Sequence, residues 1–125
     1  MTHKPKITLA TLHQASAQEV FDQVVKHMIQ QGEKSMDDDG CLYRYKDGDK
    51  ALKCAAGCLI GDDEYKPTME ENSWANLVRK DEVPDAHAEL IEKLQNIHDY
   101  EDPIQWEKML QRLAHLEGLE YNSLP

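Results

Sequence analysis

Aromatic residues are scarce in this 125-residue chain: one Phe, two Trp and five Tyr, 6% of the sequence. A core must therefore be built mainly from aliphatic side chains. Cysteines number three, an odd count that argues against a secreted disulfide framework. Basic residues are outnumbered, 14 against 24 acidic, which leaves a formal net charge of -10. Binding nucleic acid through its phosphates needs a basic surface, so direct nucleic-acid binding is disfavoured. The longest apolar stretch, Cys54–Ile60 counting its glycine, falls far short of the roughly 18 residues of a membrane span. Ile7–Leu12 is too short and too polar for a secretory leader, so a cytoplasmic location is expected. Catalytic signatures are missing as well. There is no GxSxG, P-loop, GxGxxG or HExxH pattern, and the histidines (His3, His13, His27, His87, His98 and His115) are scattered. On motifs alone the chain is not expected to be an enzyme.

What is present fits one domain over residues 1–125, with 40% hydrophobic and 30% charged residues. The acidity is uneven: residues 1–34 carry +1 and residues 35–125 carry -11. Residues 1–14 read as a partly loose arm from which Ile7, Leu9 and Leu12 can dock. Ser16-Ala17-Gln18-Glu19 is a capping box, and Val20, Phe21, Val24, Val25, Met28 and Ile29 form one stripe. A helix over about 17–31 follows, stopped by Gly32. Glu33–Gly40 reads as an acidic connection. Cys41–Tyr45 alternates like a strand, Asp47-Gly48 supplies a tight turn, and Ala51–Cys54 returns. The Cys54–Ile60 segment is expected to run into a helical turn ending at Gly61, and Asp62–Glu71 to form a loop. Asn72 or Ser73 can cap a short helix bearing Trp74, Leu77 and Val78. Asp85 is expected to cap a helix through Leu90, Ile91, Leu94 and Ile97. Asp102-Pro103 opens a last one with Ile104, Met109, Leu110, Leu113 and Leu116, ended by Gly118. Residues 119–125 are expected to fray. The fold class is α+β, mostly α: about four helices packed together with one small β-hairpin.

Three sets of residues could carry chemistry. Cys41, Cys54 and Cys58 could hold zinc with His98, His27 or Asp62 as fourth ligand, but the Cys-x-x-Cys knuckle usual for a hairpin zinc site is missing. Thiols beside Ala, Leu and Ile are more simply small buried hydrophobes, so no cofactor is expected. Ser35–Gly40 begins like a calcium loop, yet its twelfth position is Lys46 rather than a bidentate Glu. Finally, Tyr43, Arg44, Tyr45, Asp62, Asp63, Tyr65 and Trp74 make a polar and aromatic set around the central segment, with Trp106 as a further anchor. Arg44 is placed to reach Asp62 or Asp63, which gives either a structural salt bridge or an interaction surface.

The order Cys41-Leu42-Tyr43-Arg44, Asp47-Gly48, Leu52-Lys53-Cys54-Ala55-Ala56-Gly57-Cys58-Leu59-Ile60, Asp62-Asp63-Glu64-Tyr65 and Met69-Glu70 resembles a family of small phage- and prophage-associated bacterial proteins. Gln95–Asp99 and Trp106 extend the resemblance, which covers about residues 17–117. It implies no activity and no catalytic residues. Together with the acidity it leads to the expectation of a small cytoplasmic interaction protein that binds and modulates a host protein, one with a basic surface if charge steers the encounter. The alternative expectation is a small-ligand or zinc module on the cysteine region.

Overall fold

The computed structural model describes residues 6–122. Its longest elements begin where the sequence offers caps. Helix α1, Ala17–Gln31, starts at Ser16: the Ser16 hydroxyl accepts from the Glu19 amide at 3.1 Å, and the Glu19 carboxylate accepts from the Ser16 amide at 2.9 Å. Val20, Phe21, Val24, Val25 and Met28 are buried along one side. Gly32 (φ 70°) ends the helix by donating its amide to the Met28 carbonyl.

Two antiparallel strand pairs follow, where one hairpin was expected. Strand β1 (Met36–Asp37) pairs with β2 (Gly40–Cys41), and β3 (Arg44–Asp47) pairs with β4 (Lys50–Lys53). The Asp37 carboxylate accepts from the Asp39 and Gly40 amides, so the run Asp37–Gly40 is a tight turn. The expected strand over Cys41–Tyr45 is broken in its middle because its amides are used elsewhere. Leu42 N–H donates to Ser35 O, and Tyr43 N–H donates to Glu70 Oε1.

After β4 the chain makes a 3-10 turn, Ala56–Leu59, wedged between α1 and the third helix. Helix α2 (Trp74–Arg79) is capped by Ser73, whose hydroxyl accepts from the Asn76 amide. Helix α3 spans Ala88–Tyr100 and α4 spans Pro103–Glu117. Here the expected cap at Asp85 is corrected: the residue preceding α3 is His87, at φ 58° and without a side-chain cap. Asp102 does precede α4, but its side chain makes no cap bond.

Helices α1, α3 and α4 meet pairwise, and α2 packs on α3. The continuous core runs from Leu9 to Ala114, with Trp74, Trp106, Phe21 and Met28 among its largest fully buried members. Each such side chain contributes about 1.5–3 kcal/mol of burial free energy. Two residues expected on the core stripe of α4 are corrected: Ile104 is 87% exposed and Leu116 71% exposed. Trp106, Leu110, Leu113 and Ala114 set the buried face, and Ile104 lies about 200° around the helix from Trp106.

Both ends of the described chain dock. Leu12 is fully buried, and the Glu64 carboxylate accepts from the Leu9 and Ala10 amides. The tail does not fray at residues 119–122: Gln18 makes two hydrogen bonds with the Glu120 backbone, and Tyr121 sits edge-on to Phe21. Residues 1–5 and 123–125 of the expected arm and tail lie outside the described residues.

Candidate functional site

The polar set around the central segment divides into two groups. On one side, Arg44 at the start of β3 donates from Nη2 to the Ile60 carbonyl at 2.8 Å and pairs through Nη1 with Asp62 at 2.9 Å. Its guanidinium also lies 4.9 Å from the centroid of the Tyr65 ring. The expected Arg44–Asp62 contact is therefore made. Asp62 is 88% exposed and also sits 3.8 Å from Lys53 Nζ. Burial, and then the nearby Arg44 charge, lower the Lys53 ammonium from its usual pKa. Asp63 stays exposed and Tyr45 half-buried on the hairpin.

Glu70 ties these residues together; it stands in the Met69-Glu70 pair of the resemblance, but no sequence feature assigned it this role. Its carboxylate accepts from the Tyr43 amide at 2.8 Å, the Arg44 amide at 3.1 Å and the Tyr65 hydroxyl at 2.7 Å. Desolvation, then the Glu70 bond, push the Tyr65 phenol up to about 12. These contacts anchor the hairpin to the Gly61–Glu70 loop.

Tyr43 and Trp74, expected as surface anchors, are instead core residues. Tyr43 is buried, donates its hydroxyl to the Asn72 carbonyl at 2.6 Å, and packs at 6.4 Å from Trp74. Burial raises the Tyr43 phenol well above its usual range. Trp106 is also buried and gives its indole N–H to the Glu101 carbonyl. An aromatic ring inside the core cannot anchor a partner by its exposed face.

Tyr43 and Trp74 do, however, line a groove of about 430 Å3 between the Cys41–Tyr43 segment, the Glu71–Trp74 turn and one side of α3. Helix α3 contributes Glu92, Gln95, Asn96, Asp99 and Tyr100 at successive turns. Three carboxylates line the groove (Glu71, Glu92 and Asp99), and no Lys, Arg or His does. Glu71 is held at φ 67°, a left-handed conformation that a non-glycine residue seldom adopts. The indole N–H of Trp74 is buried with no acceptor among the described residues. Sequence reasoning missed this groove. Its walls come from stretches about 20–50 positions apart, and only the packing of α2 on α3 brings them together.

The cysteines do not converge. Cys54 Sγ accepts from the Gly57 amide, and Cys58 donates to the Ala55 carbonyl. Burial pushes the Cys58 thiol up to about 12 and that of Cys54 well above its usual value. Cys41 instead lies near His98 and Asp99, their ligand atoms within 4.8 Å of one another. Burial, and then Asp99, push its thiol up to about 11. The His98 nitrogens are both engaged. Nε2 accepts from the Ser35 amide at 3.1 Å, which leaves the proton of the neutral ring on Nδ1, 2.8 Å from Asp99 Oδ1. The ring stacks on Trp106 at 5.4 Å. No lone pair of this imidazole is free for a metal in the arrangement seen, and no histidine among the described residues is placed to activate the Cys41 thiol.

No family model, curated protein or solved structure matches the chain. What fold and site define is a small, mostly helical α+β domain with an acidic, aromatic-floored groove on its α3 face. Among the described residues no helix is long and apolar enough to cross a membrane.

Proposed function

We propose that this chain is an acidic interaction protein that binds a host protein through a basic segment and modulates it, in the host cytoplasm. The observation that carries this reading is the groove on α3, which three carboxylates line with no Lys, Arg or His in its lining. A net charge of -10 adds long-range attraction for a basic partner. The resemblance to phage-associated proteins supplies the host context. A zinc module using Cys41, Cys54, Cys58 and His98 has less support, because Cys54 and Cys58 bond within their own turn and both His98 nitrogens are occupied.

The test is a pull-down from host lysate with nuclease treatment and a salt series, read by mass spectrometry. The expected result is one stoichiometric protein, released as salt rises, and captured less by a Glu71→Gln/Glu92→Gln double variant. A folded bait that retains no protein, or one that holds a single metal equivalent after extensive dialysis, overturns the reading.

A further inference from the structure

Three histidine rings make hydrogen bonds to the backbone, and they differ in direction. His27 Nε2 meets the Lys53 carbonyl at 2.8 Å, and His87 Nε2 meets the Ala15 carbonyl at 2.7 Å. Both rings therefore donate, and a second proton on Nδ1 leaves these bonds intact. His98 is the reverse case. It is fully buried, and its Nε2 accepts the Ser35 amide at 3.1 Å while Nδ1–H donates to Asp99 Oδ1 at 2.8 Å. A proton added to Nε2 sets two donors against each other, so the charged ring cannot keep the Ser35 bond.

Ser35 decides what that bond holds. It too is fully buried, and it closes the base of the β1–β2 pair. Its carbonyl accepts from the Leu42 amide and its hydroxyl donates to the Leu42 carbonyl, both at 2.8 Å. Residues 34–42 thus form one flap seated on α3. Two further ties run to Asp99: Lys34 Nζ donates to its carbonyl at 3.1 Å, and the Cys41 thiol bonds its carboxylate. Around the ring, Asp99 on α3 favours the charged form. Lys34 on the flap and His27 on α1 oppose it. The Cys41 and Cys54 thiols near Asp99, both raised by burial, stay neutral, and α4 presents the uncharged Trp106 ring.

We propose that His98 is an acid-operated latch: protonation of its ring breaks the Ser35 bond and releases the flap of residues 34–42 from α3. Cys41 and Leu42 also line the α3 groove, so release removes part of its wall. The latch belongs to the chain alone and does not depend on a partner. The closed flap has no place for the added proton and the open flap has one, so acid favours opening. An imidazole in water titrates near pH ~6.5. Below that value, uptake of one proton raises the opening constant about tenfold for each pH unit.

Amide hydrogen exchange of the intact chain, followed by NMR between about pH 6.5 and 4.5, reads this constant at Ser35. The protection factor of the Ser35 amide is expected to fall about tenfold per pH unit. That of Gly32, outside the flap and bonded to the Met28 carbonyl, is expected to stay level. His98→Gln offers an acceptor to Ser35 and a donor to Asp99 without a titrating ring, so its Ser35 protection should not change with pH. If this variant does not fold, the parent profile decides alone. The proposal is overturned if Ser35 protection stays level in the parent, or if Gly32 loses protection in parallel, which means that the whole chain opens. It is equally overturned if folded His98→Gln keeps the parent's pH dependence.

Discussion

Glu70 receives the backbone amides of Tyr43 and Arg44 on its two carboxylate oxygens, at 2.8 and 3.1 Å. A loop side chain thus finishes the edge where the strand ladder stops, and the same carboxylate accepts the Tyr65 hydroxyl. Glu70→Gln sets an amide NH2 against one of these N–H donors. Because charge-assisted bonds are the stronger kind, the expected loss is about 2 kcal/mol of unfolding free energy. Urea denaturation checks it, and an unchanged midpoint would remove Glu70 from the account of how the hairpin is held.

A second prediction concerns pH. Cys41, Cys58 and Tyr65 have folded-state values raised to about 11, 12 and 12, chiefly by burial. A group whose pKa is raised on folding contributes stability that is present below its unfolded value and lost as pH climbs through the folded one. Through these three groups stability is expected to be unchanged near neutrality and to fall from about pH 9 upward toward pH 12. The same burial predicts that an alkylating reagent at pH 8 modifies Cys54 and Cys58 only when denaturant opens the chain. Rapid labelling of either in the native protein would contradict the burial of both thiols.

Much of this frame was legible because it is encoded locally. The Ser16–Glu19 box, Gly32 and Gly118 mark ends of α1 and α4 through side chains and backbone within one turn. The Arg44–Asp62 pair was within reach because a hairpin folded onto the next segment leaves few other acceptors. What was not legible depends on tertiary choice. Nothing local tells Tyr43 and Trp74 to face inward, or distinguishes Glu70 from the exposed Glu71 beside it. The start of α3 at His87 rather than Asp85 likewise follows from a long-range contact, the His87 Nε2 hydrogen bond with the Ala15 carbonyl at 2.7 Å.

Gly57 illustrates a constraint of approach rather than of dihedral angle. A Cβ built there overlaps the Tyr43 carbonyl oxygen and lies 3.3 Å from Cys54 Sγ. Since the obstacle is backbone, relief requires the 3-10 turn and the Tyr43 segment to part. Gly57→Ala is expected to destabilise by about 2–3 kcal/mol. Gly118→Ala, at φ 69° with open space around it, should lose only about 1 kcal/mol through its dihedral. Comparing the two melting midpoints separates steric overlap from backbone strain, and equal shifts would refute the close approach.

The pair Arg44 and Lys53 stand directly opposite each other in the β3–β4 ladder, two like charges that share Asp62. Opposed cations are unfavourable in a sheet, so the carboxylate acts as their common counter-ion. It is nevertheless 88% exposed, and water screens most of its attraction. Asp62→Asn should therefore destabilise by less than about 1 kcal/mol at low ionic strength. The deficit should shrink as salt shortens the Debye length to about 3 Å near 1 M, because salt then screens the Arg44–Lys53 repulsion in place of the carboxylate. Arg44→Met removes the repulsion and the Ile60 hydrogen bond together, so its loss should persist at high salt. Urea titrations of both variants at low and high sodium chloride distinguish the two terms. A salt-independent deficit for Asp62→Asn would mean that Asp62 holds the loop by shape rather than by charge.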